Sequence, residues 1–282
     1  MKERNINNRN YPSIYFKRRK KRRIVILVCC ILFLVIVEIA IKNIVIKNTN
    51  SSKNVSIGNV EKISEIKETT KKPKKELSNS PIVLPNERVE INYFNDAVFV
   101  GDSRVEGFIL NNNLFDTYDY SHKGLDVNGV FSKTVINKNE KQLTVIDALK
   151  QTHFSKVYIM LGLNEMGWVY NDIFINRYEN IVKEIKKINP KAIIYVQSIL
   201  PVSQHVSDTH DYINNKKIKK FNELLITMAE KNNINYVNVY ECMVNNQGVL
   251  PNEAAYDGIH LKKAYCEKWL EYLLTHTVKN DK

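Results

Sequence analysis

From residue 97 to the end of the chain, short apolar runs recur that do not alternate with polar residues. They are Ala97-Val98-Phe99-Val100, Lys156-Val157-Tyr158-Ile159-Met160-Leu161, Ala192-Ile193-Ile194-Tyr195-Val196 and Ile234-Asn235-Tyr236-Val237-Asn238-Val239, with a weaker one near Thr117-Tyr118-Asp119-Tyr120. Continuous apolarity over four to six residues marks strands buried on both faces. Between them lie helix-periodic segments at roughly 104–113, 140–151, 171–189, 213–232 and 261–276. In the fourth, Ile213, Ile218, Phe221, Leu224, Leu225 and Met228 keep near 3.6 spacing, with lysines on the other side. Strand alternating with helix predicts an α/β domain over 91–282 with about five parallel strands, both faces of its sheet covered by helices.

The first ninety residues have a different character. Residues 1–23 carry ten Lys or Arg against one acid, and 18 residues from Ile24 to Ile41 follow that are apolar except for Glu38. That length is close to the ~20 residues a helix needs to cross a bilayer core. The basic block on its amino side predicts a cytoplasmic tail over 1–23 and an exported remainder. A cleaved signal peptide has a shorter apolar core, about 7–15 residues, and ends at a small-residue site. None follows Ile41, so 24–41 reads as a retained anchor, with Glu38 near enough to the outer end to snorkel. Residues 42–90 are rich in Lys, Asn, Ser, Thr and Glu, too polar to bury a core, and read as a flexible tether. The expected location is a cell membrane crossed once, with the folded domain outside.

The formal net charge of +12 divides as +9 over residues 1–23, +3 over 24–90 and zero over 91–282. The basic excess is therefore a topology signal. A nucleic-acid partner would require a basic face on the folded part, which is balanced. Cys29 and Cys30 lie inside the apolar span. Cys242 and Cys266 read as two unrelated small buried residues, since spacing alone does not bring them together.

In a parallel α/β sheet, chemistry is sought at the carboxyl ends of the strands. Four loops there have unusual content: Gly101-Asp102-Ser103, Lys123-Gly124-Leu125, Gly162-Leu163-Asn164-Glu165 and Asp257-Gly258-Ile259-His260. Ser103 with Glu106 fits an S-x-x-E capping box. It also fits a nucleophile, provided a base takes its proton. Asp257 and His260, three residues apart, can sit on one turn, the carboxylate against one ring nitrogen and the other nitrogen free for Ser103. The backbone N–H groups of Ser103 and Gly124 and the Asn164 amide are the donor types that stabilise an oxyanion. A check on the two roles of Ser103 is whether Glu106 reaches back to its N–H and occupies a donor the oxyanion needs.

In these residues, and in their order along about 97–276, the chain resembles the GDSL-type, or SGNH, serine hydrolases. The resemblance implies a three-layer α/β/α flavodoxin-like domain in which Ser103 is nucleophile, His260 base and Asp257 its orienter. It implies Gly124 and Asn164 as oxyanion donors beside Ser103. Two departures stand out. The family's third block usually reads Gly-x-Asn-Asp, and here Glu165 replaces the Asp, altering the expected start of the next helix. The second block is reduced to a single Gly, with Gly129 as the alternative to Gly124.

Trp168 and Tyr170 either line a substrate cleft or pack under its rim. His205, Asp208, His210 and Asp211 lack a third anchored ligand, so no metal is expected. An acid inside Gly101-Asp102-Ser103-Arg104 makes a poor phosphate nest, so no flavin or other cofactor is expected. The expected activity is a membrane-anchored extracytoplasmic serine esterase that removes a short acyl group, acetyl in the first instance, from a carbohydrate or cell-envelope polymer. The alternative is a cell-surface O-acyltransferase using the same triad, with a sugar hydroxyl replacing water in the second half-reaction. A catalytically silent envelope-binding module is disfavoured by the intact triad.

Overall fold

The computed structural model describes residues 80–278. The basic tail at 1–23, the apolar span at 24–41 and the tether up to residue 79 lie outside the described residues. Among the described residues, no helix is long and apolar enough to cross a membrane.

The elements in chain order are β1 (Ala97–Gly101), α1 (Ser103–Asn112), β2 (Tyr118–Ser121), α2 (Gly129–Ser132), β3 (Ile136–Lys138), β4 (Lys141–Leu143), α3 (Val145–Leu149), β5 (Lys156–Met160), α4 (Asn171–Ile188), β6 (Ile193–Gln197), α5 (Gln204–Thr209), α6 (Asn215–Lys231), β7 (Asn235–Val237), α7 (Val239–Met243) and α8 (Lys263–Thr275). Five strands form one sheet in the order β2-β1-β5-β6-β7, every pair parallel. The short β3 and β4 pair antiparallel as a separate hairpin.

Alternation within the strands sorts the core into two layers. Val98, Val100, Val157, Ile159, Ile194 and Val196 face α3, α4 and α6, where Leu149, Phe174, Ile181, Phe221 and Leu225 are buried. Ala97, Phe99, Tyr158, Met160 and Tyr195 face α1, α7 and α8, burying Phe108, Val239, Trp269 and Leu273. Phe99, Tyr158 and Tyr195 stack across that face, with ring centroids 5.0 and 4.4 Å apart. With helices on both faces, the architecture is three-layer α/β/α. Strand order reverses at β1, between β2 and β5, which opens a crevice at the carboxyl edge.

Three sequence expectations change. The helix expected over 140–151 is only Val145–Leu149, because Lys141–Leu143 pairs with Ile136–Lys138 and the Thr144 hydroxyl accepts from Asp147 N, starting the helix there. The apolar run 234–239 is strand only over Asn235–Val237, and α7 takes over at Val239. Residues 80–90, assigned by composition to the tether, lie against the domain. Tyr236 N donates to Pro81 O and Val83 N to Tyr236 O, while Asn86 N and Val89 N donate to Thr275 O and Leu274 O at the end of α8. Val83 is buried and joins the core.

Candidate active site

Ser103 is the first residue of α1, directly after β1. The helix is capped by Asp102, whose Oδ1 accepts from Arg104 N at 2.9 Å. Glu106 is exposed, and its own N–H bonds Asp102 O. The capping box therefore does not form, because a buried aspartate one residue earlier does the capping. Ser103 is left free to react.

Ser103 Oγ lies 2.9 Å from His260 Nε2, and His260 Nδ1 lies 2.7 Å from Asp257 Oδ2. Ionised Asp257 can only accept, so Nδ1 carries the ring hydrogen, and in the neutral ring Nε2 accepts from the Ser103 hydroxyl. The other oxygen, Asp257 Oδ1, accepts from Ile259 N at 2.9 Å and His260 N at 2.8 Å, closing a tight turn. Partial burial pushes the Asp257 carboxyl up, but the His260 backbone N–H, its ring and the Ile259 N–H together outweigh this and hold it at about 2. The turn needs Gly258 at φ +80°, where a Cβ would stand 2.2 Å from Ser203 Oγ.

The remaining expected residues lie on neighbouring loops. Gly124 follows β2 with φ +72° and open space where a Cβ would be. Its carbonyl is held by Lys133 Nζ at 2.7 Å. Gly129, the alternative, donates its N–H to Asp126 Oδ1 at 2.7 Å and is buried in α2, so that donor is already used. Asn164 donates one amide hydrogen to Leu125 O at 2.9 Å, which ties the loop after β5 to the loop after β2 and leaves the second hydrogen available. Trp168 is half-buried and packs against the core below the turn, whereas Tyr170 is 64% exposed.

Glu165 does not start a helix. It sits in a turn, and α4 begins only at Asn171. Its side chain is fully buried, with Oε1 accepting from Val127 N at 2.8 Å and Oε2 unpartnered. Burial pushes its carboxyl up to about 8 against the pull of the Val127 N–H, with Asp102 and Asp126 adding to the rise.

Residue type alone does not mark Arg104. It is 3% exposed, and its Nη1 and Nη2 donate to Leu200 O at 2.8 Å and Pro201 O at 3.4 Å. A cation in the first turn of a helix opposes the helix dipole, and this is the signal that could have singled it out. Cys242 and Cys266 are free thiols, each pushed up to about 12 by burial. Among the described residues no three His, Cys, Asp or Glu side chains converge as metal ligands, and His210 Nδ1 accepts from Ile213 N.

A serine, a histidine oriented by an ionised aspartate and nearby N–H donors can attack an acyl carbon and hold the resulting oxyanion. Comparison with known proteins points the same way. The family model of GDSL-like lipases/acylhydrolases matches residues 99–265. A solved structure from Streptococcus pneumonia, provisionally named a platelet activating factor, is 22% identical over 65% of this chain and 87% of its own, with a TM-score of 0.51. A GDSL-like lipase from Bacteroides thetaiotaomicron is 18% identical over 66% of this chain and 88% of its own, with a TM-score of 0.49. At 22% identity the first of these likenesses is one of fold alone. No curated protein matches the chain.

Proposed function

The chain belongs to the GDSL-like lipase/acylhydrolase family, whose members hydrolyse esters, and from that premise we propose that it is a membrane-anchored extracytoplasmic serine esterase that removes a short acyl group, such as acetyl, from a carbohydrate or cell-envelope polymer. The observation that carries the chemistry is the continuous chain Ser103 Oγ, His260 Nε2, His260 Nδ1, Asp257 Oδ2, with both contacts under 3 Å. The anchor rests on the apolar span 24–41 behind its basic block.

In the first half-reaction Ser103 Oγ attacks the ester carbonyl while its proton passes to His260 Nε2. The Ser103 and Gly124 N–H groups and the free Asn164 amide hydrogen hold the oxyanion. Collapse expels the alkoxide, which takes the proton from Nε2 and leaves an acyl-serine. In the second half-reaction water gives its proton to Nε2 as it attacks the acyl carbon, and the serine is regenerated with release of the acid. Asp257, held at about 2, stays ionised throughout and stabilises the imidazolium that forms in each half.

The His260 and Asp257 side chains are 44% and 54% exposed. A wet base favours water over a sugar hydroxyl as the second nucleophile, which is why hydrolysis is proposed ahead of transfer. The test measures nitrophenol release from 4-nitrophenyl acetate by the full-length protein and its Ser103→Ala and His260→Ala variants. Both variants are expected to lose about 10³-fold or more in kcat. Turnover equal to wild type in both would remove the serine-enzyme assignment. Acylation of an added polysaccharide at the expense of free acid would replace hydrolase by transferase.

A further inference from the structure

The guanidinium next to the proposed nucleophile is held in an unusual way. Arg104 is buried in the first turn of α1, where both desolvation and the helix dipole oppose a cation. Burial pulls it down to about 10, against the fields of Asp102 and Asp257, so it keeps its charge at neutral pH. Its two Nη atoms reach across to Leu200 O and Pro201 O, and its Nε is buried without a partner.

Those carbonyls belong to a segment fastened on both sides. Asn222 pairs with Ile199, accepting from its N–H at 2.8 Å and donating to its carbonyl at 3.0 Å. Asn215 pairs with Val202 in the same way, at 2.9 and 2.8 Å. Each carbonyl from 199 to 202 thus accepts from a buried side chain. The next residue, Ser203, donates its N–H to Gly258 O at 2.9 Å, and Gly258 lies against its hydroxyl with no room for a Cβ. Gly258 is in the turn that presents Asp257 and His260. The start of α1 and the acid–base turn come from opposite ends of the domain sequence, yet both are fastened to residues 199–203.

We infer that Arg104 is a positioning residue: its two-pronged grip on Leu200 O and Pro201 O sets Ser103 against the turn carrying Asp257 and His260. The inference rests on the proposed serine-esterase chemistry. A planar fork spans two carbonyls, whereas a lysine ammonium at the same place keeps the charge but not the geometry. Displacing reacting groups by about an ångström costs on the order of 100-fold in rate.

The experiment compares full-length wild type with Arg104→Lys, Arg104→Met, Asn215→Ser and the Arg104→Lys/Asn215→Ser double variant. It reads kcat and KM on 4-nitrophenyl acetate well below each variant's melting temperature, with Ser103→Ala and His260→Ala run alongside. The expected result is that Arg104→Lys loses about 10- to 100-fold in kcat with KM within about twofold. The double variant is expected to lose less than the product of its single losses, because both residues act through one segment. Where Arg104→Met does not accumulate as folded protein, Arg104→Lys decides. A kcat for Arg104→Lys within twofold of wild type, with the Ser103 and His260 variants inactive, overturns the role of Arg104 alone. Multiplicative losses in the double variant also overturn it. Wild-type turnover in the Ser103 and His260 variants overturns the esterase assignment and this role together.

Discussion

Around Ser103, capping and nucleophilic attack fall to different residues. Asp102 satisfies the helix N-terminus through Arg104 N, so the Ser103 hydroxyl faces His260 without a competing partner. Glu165 is the residue whose chemistry departs furthest from its ordinary state. It is buried with one oxygen unpartnered, and its carboxyl is pushed up to about 8 from the usual 4.5. Below pH 4.5 the carboxyl is protonated in both folded and unfolded chains, and its contribution is fully present. Between 4.5 and about 8 the unfolded chain ionises while the folded carboxyl keeps its proton, so stability falls as pH rises, by on the order of a few kcal/mol over the window. Glu165→Gln keeps an acceptor for Val127 N and removes the titration. Urea unfolding from pH 5 to 8 should show a flatter stability profile in the variant, and an unchanged slope would refute the assignment. The same residues show what was legible. Ser103, Asp257 and His260 are marked by type and short spacing. Arg104, Glu165, Asn215 and Asn222 act on backbone 13 to 97 positions away, and no local pattern carries that information.

Among the elements, β1, β5, β6 and β7 could be read because strands buried on both faces are written as apolar runs, β2 only weakly because its first two residues are exposed, and the long helices because their periodicity survives over several turns. The β3–β4 hairpin could not. Its turn places Asn139 and Glu140 at φ 49° and 61°, the mirror-image turn that Asn-Gly usually announces, and Glu at the second position hides it. Short helices such as α5 give too few residues for a period to show. The turn from Asp257 to His260 is the element on which the site depends most, and Gly258 is its constraint. In Gly258→Ala the positive φ and the 2.2 Å approach to Ser203 Oγ act together, with Val206 Cγ2 at 2.7 Å closing off escape. The expected cost is about 1–3 kcal/mol in stability, with at least a tenfold loss of kcat as the base shifts from Ser103. Gly107→Ala is the matched control, since a Cβ there meets nothing within 4 Å inside α1. It should leave kcat unchanged and raise stability by up to about 1 kcal/mol. Thermal melts and kcat on both variants decide, and equal behaviour of the two would refute the special role of the turn.

At the scale of the whole folded domain, composition misjudges where it begins. Residues 80–90 are polar enough to read as tether, yet they close the open edge of the sheet. Ile82 bridges Tyr236, the middle residue of β7, in parallel, so the chain comes in along the outer edge of the sheet, three strands from β1 and Ser103. It then crosses to the carboxyl end of α8, where Arg88 Nε and Nη2 clasp Glu271 at 3.0 and 3.1 Å. That pair is exposed and adds little. The backbone bonds to Tyr236, Thr275 and Leu274 and the burial of Val83 carry the stabilisation. Removing the segment leaves β7 as a bare edge, with unpaired N–H and C=O groups on one side, and such edges recruit other chains. A chain beginning at residue 91 should therefore melt about 5–10 °C below one beginning at residue 74, given that 1 kcal/mol shifts a domain of this size by about 2–4 °C. It should also aggregate at lower concentration. Because the segment pairs with β7, three strands across the sheet from the β1 end that carries Ser103, KM and kcat on 4-nitrophenyl acetate should agree between the two chains at temperatures where both are folded. Equal melting temperatures would show that the strap is dispensable, and a lowered kcat in the folded shorter chain would show that the edge and the active site communicate.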